Sequence, residues 1–176
     1  MNRDLNNQNE KRDPVRLLVQ CGLLTALVAV GTFISIPIAG GQGFINLGDA
    51  VVHAAAYLIG GWHCMLVAAI GSVIPDLALA YTVYAPATFI IKGLLALADL
   101  ILLRKIKIRS ITLMITGLIV PAGYFLYELL LTLFGVWTKE MAIVDLPWNL
   151  LQYVVCAVAG SIVIMIFDRT KIKEKL

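Results

Sequence analysis

The chain has 176 residues, of which 60% are hydrophobic and only 14% charged, with a mean hydropathy of +0.90. Soluble domains typically carry about 25% charged residues, so this composition excludes a disordered chain, a nucleic-acid binder and an ordinary cytosolic enzyme. The net charge of +3 is unevenly spread, because twelve of the fourteen Lys and Arg fall in residues 1–16, 104–109 and 169–175. Only Lys92 and Lys139 lie elsewhere.

In chain order, residues 1–14 are polar and Asn-rich and predict a flexible cytoplasmic tail. A first apolar stretch runs from about Arg16 to Ile36 and is stopped by Pro37. Gly40, Gly41 and Gly43 then mark a loop on composition alone. Further apolar stretches cover about Leu47–Gly61, Cys64–Tyr81 and Pro86–Leu103. A basic link, Arg104–Arg109, leads to a fifth at about Ile111–Phe134. The sixth runs from Pro147 to about Phe167, ahead of a basic cytoplasmic tail at 169–176. A bilayer core of roughly 30 Å takes about 20 apolar residues per helix, so the pattern predicts an all-α integral membrane protein. It is a single six-transmembrane-helix bundle over residues 15–168, with no room for a second domain.

An even number of spans puts both termini on one side, together with the Arg104–Arg109 link. That side holds twelve basic residues against Lys139 opposite, which by the positive-inside rule makes both termini cytoplasmic. The expected location is a plasma membrane, prokaryotic and multi-pass, with lipid around the bundle. Cys21, Cys64 and Cys156 lie in apolar runs without CxxC spacing. They predict packing residues and no disulfide or metal site.

An ionisable group in hydrocarbon costs a few kcal/mol on insertion scales, so each one needs a reason. Asp49 opens the second span, and His53 lies one turn deeper on the same helix face. Taking a rise of 1.5 Å per residue, Asp76, Lys92 and Glu128 each sit about 8–9 Å below the outer face. Asn149 and Gln152 occupy the first turns of the sixth span. These groups share the outer half of the membrane and predict a pocket open to the exterior. Asp99 lies near the inner end of its span. The inner halves of the first, fifth and sixth spans are almost wholly apolar, which speaks against a continuous ion path. The matching depths of Lys92 and Glu128 predict a charge pair that borders ligand, with a purely structural pair as the alternative. Tyr81 and Tyr84 suit either interface anchors or ligand contacts. No GxxxxGK[ST] loop is present, so ATP hydrolysis in the P-loop manner is not expected. HExxH and GxSxG are missing too. Small residues form two adjoining rows on the first span, Gly22/Ala26 and Cys21/Thr25/Ala29, which would let another helix approach closely.

Two segments carry a family resemblance. Phe44-Ile45-Asn46-Leu47-Gly48-Asp49-Ala50 and Tyr84-Ala85-Pro86-Ala87-Thr88-Phe89-Ile90-Ile91-Lys92-Gly93 resemble the loop, second helix and fourth helix of S components of energy-coupling factor (ECF) vitamin transporters. The resemblance covers about residues 15–168, and the subgroup it is most similar to contains hydroxymethylpyrimidine/pyridoxine-type and riboflavin-type S components. It implies a non-enzymatic subunit with no cofactor of its own, capturing a vitamin or precursor at an outward-facing pocket. A pyridoxine- or hydroxymethylpyrimidine-like ligand is favoured, with riboflavin the alternative. The implied partners are a transmembrane T component and two ATP-binding-cassette ATPases that use the ATP. The implied ligand residues are Asn46, Asp49, His53, Asp76, Tyr84, Lys92, Glu128, Asn149 and Gln152. The implied docking row is Gly22/Ala26, or Thr25/Ala29 one face over. Two other classes stand beside this reading: a small intramembrane enzyme using Asp49, His53 and Asp76, and an oligomeric channel or half-transporter.

Overall fold

The structure, a computed structural model, describes residues 13–38 and 44–172. The predicted glycine loop at 40–43, most of the predicted N-terminal tail and residues 173–176 lie outside the described residues. Helix α1 spans Pro14–Phe33, strands β1 and β2 Ser35–Pro37 and Phe44–Asn46, α2 Gly48–Ile59 and α3 His63–Ala78. Then come α4 Ala85–Lys105, α5 Arg109–Gly117, α6 Ile119–Leu133 and α7 Lys139–Thr170.

Among the described residues, α1, α4, the stretch Arg109–Leu133 and α7 are long and apolar enough to cross a membrane, whereas α2 and α3 are shorter apolar helices. The side-chain distribution is inverted relative to a soluble domain. Leu18, Leu23, Ile90, Leu126 and Leu133 lie exposed, while Asp49, His53, Lys92, Asp99 and Glu128 are buried. Water offers no reason to put leucine outside and lysine inside; hydrocarbon does, because ionisable groups there turn to the bundle interior.

Three sequence expectations need correction. The bundle is not purely α-helical: β1 and β2 pair antiparallel in the register Ser35↔Asn46, Ile36↔Ile45 and Pro37↔Phe44. The first helix ends at Phe33, short of the expected Ile36, and Pro37 closes β1 instead of stopping the helix; the β-branched Ile36 and Ile45 suit a pleated pair. The last helix starts at Lys139, eight residues before Pro147, which sits inside it. Pro147 faces outward, and prolines are tolerated inside membrane helices.

Helix α2 is the centre of the bundle. Every residue in it is buried except Val51 and Leu58, which are partly so. It packs against α1, α3, α4 and α7. Ala50, Ala54, Ala55 and Ala56 keep it slim enough to be surrounded. At 12 residues it is only about 18 Å long, well short of a bilayer core. The hairpin sits beyond its first turn, where Leu47 N–H donates to the Gly31 carbonyl at 3.2 Å.

Contacts define two ends. At one, Arg104 donates to the Gly60 carbonyl, Tyr57 donates to Asp168, and Arg109 pairs with Asp168 at 3.6 Å. At the other, Phe44 of the hairpin meets Tyr81 edge-on at 4.8 Å between ring centroids. There Tyr127 donates to the Val83 carbonyl at 2.5 Å. The Arg104–Arg109 link thus lies at the first end and the hairpin at the second.

Helices α1 and α3 touch where Gly71 leaves no space for a side chain. A Cβ there would lie 2.7 Å from Val28 Cβ and 2.8 Å from the Thr25 carbonyl oxygen. Substituting Gly71 by Val should therefore lower stability by about 1–3 kcal/mol, the usual cost of overpacking. A thermal-melt comparison in detergent checks this, and an unchanged midpoint would show that α1 shifts freely.

Candidate functional site

At the hairpin end a cavity of about 440 Å³, mouth included, opens between β2, α3, α4, α6 and α7. Its walls follow helix periodicity. Tyr84, Thr88 and Lys92 stand four residues apart on one face of α4. Tyr124 and Glu128 do the same on α6, and Asp145, Asn149 and Gln152 share a face of α7 at spacings of four and three. Phe44 and Asn46 come from β2, and Asp76 and Tyr81 from the end of α3 and its following turn.

The floor is a buried charge network. Lys92 Nζ donates to Asp49 Oδ1 at 2.5 Å, with both side chains 2% exposed. Gln152 Nε2 donates to the other oxygen of Asp49 at 2.6 Å. Gln152 Oε1 in turn accepts from the Asn46 backbone N–H at 2.8 Å. Asn46 Oδ1 accepts from the Gly48 N–H at 2.8 Å, so the hairpin closes onto the start of α2. The carboxylate of Asp49 also sits in the first turn of α2, where the helix dipole favours it. Lys92 Nζ lies 5.3 Å from the centroid of the Tyr124 ring, within cation–π range.

One wall is acidic. Tyr84 Oη donates toward Glu128 Oε1 at 3.1 Å and lies 3.4 Å from Asp145 Oδ2. Thr88 and Tyr124 share a hydrogen bond at 2.9 Å beside it. Asp76, in the last turn of α3, is buried and lines the same cavity.

Seven of the nine expected ligand residues line this cavity: Asn46, Asp76, Tyr84, Lys92, Glu128, Asn149 and Gln152. Asp49 lies behind Lys92 and does not. His53 is also outside it, paired with Asp99 through Nδ1 and Oδ2 at 2.6 Å. The expected Lys92–Glu128 pair is corrected: equal depth did not imply contact, since Asp49 reaches Lys92 from α2 and Tyr84 takes Glu128. Tyr84 is buried, which rules out an interface anchor. Thr88, Tyr124 and Asp145 were missed. The four-residue spacing from Lys92 and Glu128 would have found the first two. Asp145 was hidden by starting the last helix at Pro147.

One depth expectation is corrected: His53, grouped with the outer-half residues, pairs instead with Asp99 toward the inner end. Asp49, His53 and Tyr57 repeat every four residues along one stripe of α2. Below the Lys92 pair, Thr116 of α5 donates to Asp99 Oδ1 at 2.5 Å, and Asp99 holds His53. Below that, Tyr57 meets Asp168, with the Arg109 guanidinium 5.5 Å from its ring centroid. The seam is paired and buried: His53, Asp99 and Thr116 are each shielded and hydrogen-bonded. It is glue between helices rather than a conduit. The small-residue rows of α1 split as well. Gly22 and Ala26 are exposed, Thr25 is partly buried, and Ala29 is turned into the bundle.

Removing one member of a buried ion pair typically costs about 3–5 kcal/mol, because the other is left charged and unpaired. Lys92→Met should lose that much stability by stranding Asp49, and adding Asp49→Asn should restore most of it. Adding Glu128→Gln instead should restore nothing. Equal rescue by both second substitutions would contradict the Asp49 pairing.

The family model described as ECF-type riboflavin transporter, S component, matches residues 13–169. A solved structure described as "Structure and mechanism of the S component of a bacterial ECF transporter" is similar over 93% of this chain and 100% of its own, with a TM-score of 0.66 and 19% identity. At that identity the likeness concerns the fold alone. No curated protein sequence matches. A family match over nearly the whole chain and the same fold in a solved S component agree with the polar cavity. The chain belongs to the ECF-type riboflavin transporter S component family, a family of substrate-binding membrane subunits and not of enzymes.

Proposed function

We propose that this chain captures a vitamin or vitamin precursor of the nitrogen-heterocycle class from outside the cell and hands it to an ATP-driven uptake machine. The observation that carries this reading is the cavity itself. Buried polar groups from α1, α3, α4, α6 and α7 converge there, joined by Asn46 of β2. Phe44, Tyr81 and Tyr124 offer aromatic faces for a planar ring. A pyridoxine- or hydroxymethylpyrimidine-like compound fits this chemistry. Riboflavin is the second reading, supported by the name of the matching family.

Six spans with both termini cytoplasmic complete the proposal. The basic residues 104–109, 169 and 171 gather at the end away from the cavity, as the positive-inside rule requires of an outward-facing pocket. The proposed location is a plasma membrane, multi-pass. The proposed partners are a T component and two ABC ATPases, with docking through the exposed Gly22/Ala26 row of α1. The enzyme reading loses its support in the geometry. Asp49, His53 and Asp76 do not share a site, since Asp49 serves Lys92, His53 serves Asp99, and only Asp76 faces the cavity.

Native mass spectrometry after mild purification should detect one heterocyclic ligand per chain, and titration should show stoichiometric binding without turnover. A folded chain that binds neither riboflavin, pyridoxine nor hydroxymethylpyrimidine would sink the capture reading. Vesicles holding the chain alone should show no concentrative uptake. Cysteine in place of Lys139 should react with an impermeant thiol reagent in intact cells, and cysteine in place of Lys107 should be shielded. Ala26→Leu should weaken partner association while leaving ligand affinity intact.

A further inference from the structure

The cavity has more acceptors than its own donors can serve. Asp76, Glu128 and Asp145 all line it, and Lys92 is its lining cation. That cation is taken, because its ammonium is held by Asp49 at 2.5 Å. Tyr84 has a single hydroxyl hydrogen, aimed between Glu128 and Asp145, and cannot be donated to both at once. Thr88 and Tyr124 spend a hydrogen bond on each other.

Two atoms are left over. Glu128 Oε2 and Asp76 Oδ2 are buried and have no hydrogen-bond partner among the described residues, although their side chains are only 2% and 3% exposed. A buried acceptor left without a donor is costly, more so on a carboxyl group. Two such oxygens on one cavity, from α3 and α6, call for hydrogen-bond donors on whatever fills it.

We propose that Glu128 and Asp76 are specificity residues that accept hydrogen bonds from nitrogen-borne hydrogens of the ligand, so that the chain selects an amino-substituted or ring-protonated nitrogen heterocycle. This deepens the capture reading and rests on it. A flavin ring edge is poorly matched to this wall. Its imide offers one N–H between two carbonyl oxygens, which would face carboxyl groups already short of donors. A pyridinium N–H has no flanking acceptor, and an aminopyrimidine's amino group has a ring-nitrogen acceptor on one side only. The electron-rich faces of Tyr81 and Tyr124 favour the same electron-poor, cationic rings.

The test compares two probes that differ only in the amino group: 4-amino-5-hydroxymethyl-2-methylpyrimidine and 5-hydroxymethyl-2-methylpyrimidine. Each is titrated by calorimetry into the purified full chain, with riboflavin and pyridoxine as further probes. The amino compound should bind about 10–100-fold more tightly than its des-amino analogue, the usual worth of hydrogen bonds to a charged acceptor. Glu128→Gln and Asp76→Asn should each erase most of that difference. The wild-type comparison needs no variant, so it decides the matter even if a substitution unfolds the chain. Equal affinity for the two pyrimidines would overturn the proposal. Tight riboflavin binding without any amino-heterocycle binding would overturn it too, leaving capture itself intact. A folded chain that binds none of these probes would remove both.

Discussion

The ion pair between Lys92 and Asp49 is the constraint around which the bundle is arranged. An ammonium in the interior of a membrane protein must be paired, and its desolvation is repaid only by near-ideal geometry with remaining valences filled. Asp49 supplies that geometry from the start of α2. Gln152 fills its second oxygen from α7, and Asn46 ties Gln152 to the hairpin. Two helices, a third contacting through an amide, and a strand are thereby fixed relative to one another. A floor made of satisfied charges also explains why Lys92 can line the pocket without demanding an anionic ligand.

The same logic repeats down α2. In lipid, helix association has little hydrophobic drive, and small residues with interhelical hydrogen bonds take over. Every fourth residue of α2 pairs outward to α4 or α7: Asp49 to both, His53 to α4 and Tyr57 to α7. Alanines occupy much of the intervening surface. Gly160 lets α7 come so close that a side chain there would lie 3.1 Å from the ring and Cβ of His53. The short buried helix therefore acts as a peg whose polar stripe sets the rotation of its surroundings. A helix that is apolar all round has no preferred rotation, which is why the costly groups sit here and not on the lipid-facing α1.

Much of this was legible before any coordinates. Hydropathy and the spread of charge gave the membrane class and the apolar stretches, since each rests on a window of about 20 residues and tolerates local error. Most of the pocket was legible too, because a buried polar residue at a given depth is conspicuous in an apolar run. What failed was pairing. Depth is one coordinate and contact needs three, so Lys92 was given Glu128 when Asp49, at the top of a neighbouring helix, lay on the correct side. Asp145 failed for a different reason: Pro147 was taken as a start signal, whereas an outward-facing proline need not stop a helix supported by its neighbours. The hairpin was hidden because three-residue strands have too little periodicity to register.

The packing also bears on how such a subunit can contribute to transport. Below Lys92 and Asp49 the interior is closed by His53, Asp99 and Thr116, all buried and hydrogen-bonded, and then by Tyr57 and Asp168. Opening a route through this seam would break several buried polar contacts at once. Each would cost on the order of 1–3 kcal/mol or more when left unsatisfied, and no ATP-binding loop is present to drive it. A solute held above the seam therefore has one inexpensive exit, the mouth by which it entered. Under the capture proposal, parting these helices is therefore the costlier route to the opposite side. The leucine-rich exterior of α1, broken by the small Gly22 and Ala26, is the face proposed to meet the partner.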